Sequence, residues 1–274
     1  MNETSVVYAE DSGLALVTLA ESKSGNRLNP VSIAALHDAL NRAEASAEAR
    51  IVILRSNGSV FCDGMDFGFF QESEGQGEQA GEAVRGYARL LLRMRAFPKL
   101  IIALVDGAAR AGGVGIVAAA DLVLASARSS FQLSEIFIGI IPANVLPFLA
   151  ERVGAHRAAA MTLSGETFTA EEARTLGLAD KVLPDEALEK ETRAYIRNLL
   201  RASPYALGRA KSFAREIAGV SLQEASDHAQ KQLLAIAARP AVRDAIAAFA
   251  QGSLPAWSAR LKLRENLWIG ENHD

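Results

Sequence analysis

Residues 111–120, AGGVGIVAAA, carry no charge, include three glycines and contain nothing larger than isoleucine. Ten residues fall far short of the roughly 20 that a membrane-crossing helix needs. A helix clad in small apolar residues has no polar face for water, so it is expected inside the molecule, packed against strands. The flanking runs supply those strands: LIIALV at 100–105 before it and LVLAS at 122–126 after it. Short apolar runs of this kind read as strands buried on both faces. The stretch therefore constrains the chain to an α/β core.

The rest of the chain agrees with that core. SVVYAEDSGLALVTLA, 5–20, reads as a hairpin turned around Gly13. Pro30 opens a helix whose Ile33, Leu36, Leu40 and Ala43 recur at helical spacing. IVILRS at 51–56 reads as a buried strand, and AVRGYARLLLRMRAF as a helix stopped by Pro98. The polar, glycine-rich QESEGQGEQAGE, 71–82, is expected to be a mobile loop. From Ala155 onward the pattern is almost wholly helical, broken at SGETFT, LPDE, ASP, RP and LP. No internal repeat is visible. Strands early and helices late predict an α/β core over 1–200 with a helical region over 201–274.

Composition narrows the function. A net charge of −3 without a basic run excludes a nucleic-acid surface. A single cysteine, Cys62, excludes an internal disulfide and a multi-cysteine metal site, and reads as a small buried hydrophobe. His37, His156, His228 and His273 are scattered and match no metal motif. The N-terminus lacks the basic and apolar regions of a secretory signal, so a soluble cytoplasmic protein is expected.

Gly112, Gly113 and Gly115 bring backbone close to something. A phosphate loop fails, because no lysine follows. A dinucleotide fingerprint fits Gly113, Gly115 and Ala118 with Glu135 beyond, but six residues separate it from the strand ending at Val105. Adjacent glycines at a helix start instead suit a site for a negative oxygen, with unpaired N–H groups and a positive dipole end. FCDGMDF places a second sharp turn at Gly64 and exposes the Met65 N–H. Two amides from two turns can clamp one oxygen.

Four segments in this order resemble the enoyl-CoA hydratase/isomerase (crotonase) superfamily: SGNRLNPVSIAALHDAL, SVFCDGMDF, DGAARAGGVGIVAAADLVLAS, and the run from FQLSEIFIGIIPANVLPFL through EEARTLGLADKVLP. The resemblance covers roughly residues 5–255. It implies a crotonase fold, a ββα superhelical spiral, with a C-terminal helical region that forms homotrimers or hexamers. It also implies that the Met65 and Gly112 amides hold the oxygen of an acyl thioester of CoA or phosphopantetheine, with no further cofactor and no metal. Substrate contacts then fall to Arg27, Leu28, Asp63, Gly64, Asp66, Gly113, Gly115 and Asn144. Arg27 lies where a pantetheine or nucleotide arm passes, Asp66 braces its turn, and Asn144 faces the leaving hydroxyl or a distal carboxylate.

The family's hydratases usually carry two glutamates. Here Glu135 keeps the second, while Gly115 stands at the first and is expected to open room near the substrate's β-carbon. That combination is most similar to the dehydratases of polyketide β-branching, which remove water from 3-hydroxy-3-methylglutaryl on an acyl carrier protein to give 3-methylglutaconyl. A partner decarboxylase acts next. The alternatives are an ordinary enoyl-CoA hydratase or isomerase, and a non-catalytic acyl-thioester-binding protein on the same fold.

Overall fold

The computed structural model describes residues 5–66, 68, 77–258 and 263. Val6–Asp11 (β1) and Leu14–Leu19 (β2) form the expected antiparallel hairpin through Ser12 and Gly13, both at positive φ. Pro30–Ala45 (α1) starts on a reciprocal cap: the Ser32 N–H donates to the Asn29 side chain, and the Asn29 N–H donates to the Ser32 hydroxyl. The apolar spacing read from the sequence is its buried face.

From there one pattern recurs. A strand enters a large sheet, a tight turn follows, a short strand enters a small sheet, and a helical segment closes the unit. Ile51–Ser56 (β3) and Val60–Cys62 (β4) lead to Gly77–Ala96 (α2). Leu100–Val105 (β5) and Ala108–Arg110 (β6) lead to Gly112–Ala119 (α3). Leu122–Ser126 (β7) and Ser130–Gln132 (β8) lead to a 3-10 turn, Glu135–Ile138, and then Leu146–Val153 (α4). Ala155–Ser164 (α5), Thr167–Thr169 (β9), Ala170–Leu176 (α6) and Lys181–Leu183 (β10) follow.

The large sheet runs β1-β2-β3-β5-β7-β10 and the small one β4-β6-β8-β9. Beyond β1–β2 and β8–β9 every pairing is parallel. Advancing one strand per unit in both sheets winds the chain into a spiral. The repeat is one of topology, so it left no repeated side chains to find in the sequence. All eight residues of α3 are buried, as their composition requires.

Three expectations need correction. The region from Ala155, read as almost wholly helical with breaks, contains two strands: β9 lies within the break SGETFT, and β10, just before and into LPDE, extends the large sheet beside β7. β6 fills the supposed gap between β5 and the glycines. Gly77 to Glu82 belong to α2 and not to a loop, while residues 71–76 lie outside the described residues.

Leu188–Leu199 (α7) still buries Ile196 against the large sheet. Pro204–Glu216 (α8), Leu222–Ala237 (α9) and Pro240–Ala250 (α10) leave every residue at least partly exposed. No helix among the described residues is long and apolar enough to cross a membrane.

Candidate active site

β4 and β6 are parallel neighbours, so the turns that follow them leave from the same edge. Gly64 bends the first turn at φ +85. A Cβ there would fall 2.8 Å from the Gly112 nitrogen and 2.8 Å from the Ala111 Cβ, so the close approach of the two turns requires glycine. Leu28 braces the first turn. Its N–H donates to Gly64 O at 2.8 Å, and its carbonyl accepts from the Asp66 N–H at 2.9 Å. This bridge uses the groups on either side of Met65 and leaves the Met65 N–H out of it.

The second turn is strained. Ala111 sits at φ 48, ψ −120, a conformation that costs a non-glycine residue roughly 1–3 kcal/mol and that clusters at functional sites. Its own N–H is held by Gln132 O at 2.8 Å, and the Gly112 N–H opens α3. Among the described residues no backbone acceptor takes up the Met65 or the Gly112 amide.

Both residues line one cavity of about 410 Å³. Val84, Ile138, Ile140, Ile141 and Val145 form its apolar wall, and Glu135, Tyr87 and Asn144 are its polar side chains. A second cavity, about 460 Å³, shares Met65, Ala111, Glu135 and Ile138 with the first. It is the more polar of the two, with Arg27, Arg110, Asp63 and Asp66 around it. A larger space of about 570 Å³ between α1 and α2 includes neither turn.

Glu135 heads the 3-10 turn at the junction of the two cavities and is buried. Its Oε2 has no hydrogen-bond partner among the described residues. Burial pushes its carboxyl above the usual glutamate range. A desolvated carboxyl with one oxygen unpaired, beside two free amides, is a base held where charge can develop.

The other expected residues divide into liners and braces. Arg27 is half exposed, 3.9 Å from Asp66, whose carboxylate also accepts from the Gly68 N–H at 3.1 Å. Asp63 pairs with Arg110, and its N–H donates to Gly25 O at 3.0 Å. Asn144 Nδ2 donates to Val84 O at 3.3 Å, fastening the cavity rim to α2. Leu28 is fully buried and lines neither cavity. Gly113 also lies outside both linings, because a Cβ there would overlap the Cys62 carbonyl of β4. Cys62 itself is buried, its thiol pushed up to about 12 by desolvation.

Residues 9–260 match the enoyl-CoA hydratase/isomerase family. The chain belongs to this family. Among its relatives is the bacillaene synthase dehydratase PksH of Bacillus subtilis, 30% identical over 72% of this chain and 75% of that protein. The 2,3-dehydroadipyl-CoA hydratase of Escherichia coli is 28% identical over 93% and 99%. A crystal structure of an enoyl-CoA hydratase from Shewanella pealeana superposes with a TM-score of 0.87 at 27% identity, covering 93% and 97% of the two chains. The spiral is thus the crotonase fold.

In this enoyl-CoA hydratase/isomerase family member, Gly115 does not open space for substrate. A Cβ on Gly115 would overlap the Tyr87 hydroxyl and come 3.0 Å from a Val145 methyl. The volume is already filled by Tyr87, whose hydroxyl donates to Gly112 O at 2.5 Å. Sequence reasoning missed Tyr87. Tyr87, Leu90, Leu91 and Met94 share one buried helix face, and an aromatic in that series reads as core.

Proposed function

We propose that the chain is a hydro-lyase acting on acyl thioesters, and that its reaction is dehydration of 3-hydroxy-3-methylglutaryl on an acyl carrier protein to 3-methylglutaconyl. One observation carries this reading: Glu135 is the single carboxylate lining the apolar cavity among the described residues. The likeness to a relative named bacillaene synthase dehydratase supports it. The thioester oxygen lies between the Met65 and Gly112 amides. Glu135 takes the α-proton, and charge builds on that oxygen, where the two donors stabilise it. The β-hydroxyl then leaves with the proton returned from Glu135, giving water and the conjugated product. A tertiary β-carbon eases this departure, because it tolerates positive charge. Arg27, at the polar cavity, pairs with the phosphate of the pantetheine arm. A decarboxylase downstream consumes the product.

A second reading, hydration of unbranched enoyl-CoA, has one observation in its favour. The described wall of the acyl cavity is almost wholly apolar and offers no cation for a distal carboxylate. The deciding experiment gives the purified chain both substrates and follows loss or gain of water by mass. Dehydration of the branched carrier-bound thioester supports the first reading. Rapid hydration of crotonyl-CoA alone supports the second. Binding of both without turnover shows a non-catalytic thioester-binding protein.

A further inference from the structure

Tyr87 does three things at once. Its hydroxyl fills the space over Gly115 and donates to the carbonyl of Gly112, and the residue is part of the wall of the apolar cavity that Glu135 also lines. Gly112 follows the strained Ala111, and strain of this kind persists only where the surroundings hold it. On one side Gln132 O holds the Ala111 N–H, and on the other the Tyr87 hydroxyl holds Gly112 O. The Gly112 amide lies between these two anchors. We infer that Tyr87 is a positioning residue that fixes the Gly112 amide in the anion-binding turn, and that Gly115 is glycine in order to admit the Tyr87 hydroxyl.

Two further observations agree. Tyr87 is buried, so its hydroxyl has little water to bond with in place of Gly112 O. Burial also holds the phenol well above its usual range, so it stays a neutral donor across working pH. The inference rests on the proposed pairing of the Met65 and Gly112 amides, and it is independent of which acyl thioester is the substrate.

The test uses acetoacetyl-CoA, a 3-oxoacyl thioester, with the whole chain. Loss of its C2 proton to Glu135 or to water moves the electron pair onto the thioester oxygen, and the enolate is read by near-ultraviolet absorbance. In the unaltered protein the bound enolate fraction at fixed pH exceeds that in solution. Direct loss of an oxyanion donor typically costs about 100- to 1,000-fold in rate. Tyr87→Phe, which acts through the backbone, is expected to lower the bound enolate-to-keto ratio by about tenfold, a ratio read with the protein saturated and so independent of any change in affinity. Gly115→Ala, which pushes the hydroxyl aside without changing Tyr87, is expected to give the same loss, and it serves if Tyr87→Phe does not fold. The double variant loses no more than the larger single, since both remove one contact. An unchanged enolate ratio in Tyr87→Phe, with only a lower melting temperature, overturns the inference and leaves the site intact. No enolate enrichment in the unaltered protein overturns the two-amide site itself, and the inference with it.

Discussion

Glu135 is buried with one oxygen unpaired, which is costly for stability and useful for chemistry. Its carboxyl titrates above the ordinary range. A base must be ionised to work, so kcat/KM is expected to rise with pH through a midpoint above about 4.3, the ordinary glutamate value. The stability sign is opposite. Stabilisation from a raised carboxyl is fully present below its unfolded value and is lost as pH rises through its folded value. Glu135→Gln is therefore expected to remove most turnover, about 100-fold or more, and to raise the melting temperature at pH 7 more than at pH 4. Scanning calorimetry at both pH values checks this, and a destabilised Glu135→Gln at pH 7 contradicts it. Gly115→Ala is expected to cost about 1–3 kcal/mol by overpacking against Tyr87 and Val145, read by urea denaturation. Glu135, Gly64 and Gly112 were legible in the sequence because their chemistry is local: a carboxylate in a motif, and glycines at a bend and at a helix start. The role of Gly115 was misread because what fills the space beside it comes from α2, 28 residues earlier in the chain.

The elements follow the same division. β2, β3, β5 and β7 were legible because each is a short apolar run buried in the large sheet. β9 and β10 were not. Each has only three residues and carries polar side chains, and what makes them strands is a partner far away in sequence. The attachment of α8 was equally invisible. Lys211 on α8 reaches Asp121, between α3 and β7, at 2.8 Å, and both side chains are buried. Lys211 also donates to Met94 O at 3.2 Å and Lys99 O at 3.3 Å, while Asp121 accepts from the Ile101 N–H at 2.8 Å. Removing one partner of a buried pair costs about 3–5 kcal/mol when the charge left behind is uncompensated. Arg95, 3.8 Å from Asp121, compensates in part, so Lys211→Met is expected to lose about 3 kcal/mol in urea denaturation, and Lys211→Met with Asp121→Asn to recover a large part of it. Equal losses in the single and double variants count against the pair as the anchor.

At the scale of the molecule, the spiral closes its own core while the C-terminal helices do not. α9 leaves Leu222 87% exposed and Leu234 72% exposed, and α10 leaves Phe249 80% exposed. Leu233 and Ile246 are exposed beside them. Helices of 16 and 11 residues are marginal alone in water, because most helical stability in proteins comes from packing an apolar face. An exposed apolar surface shared by two adjacent helices marks an interaction site. The resemblance that led to the site implies that other copies of the chain cover it. A specific interface of this kind buries about 1,200 Å² or more in total. Sedimentation velocity at micromolar concentration is accordingly expected to show a trimer or a dimer of trimers. Leu234→Glu combined with Phe249→Glu should shift the chain to monomer and lower its melting temperature, because each protomer then leaves α9 and α10 uncovered. The spiral buries Glu135 and builds the cavity that Met65 and Gly112 line without any residue of these helices. The monomeric variant is therefore expected to keep the acetoacetyl-CoA enolate signal at temperatures where it stays folded. A monomeric unaltered chain would defeat the assignment of α9 and α10 to self-association. Loss of the enolate signal in a folded monomer would show instead that a neighbouring copy completes the site.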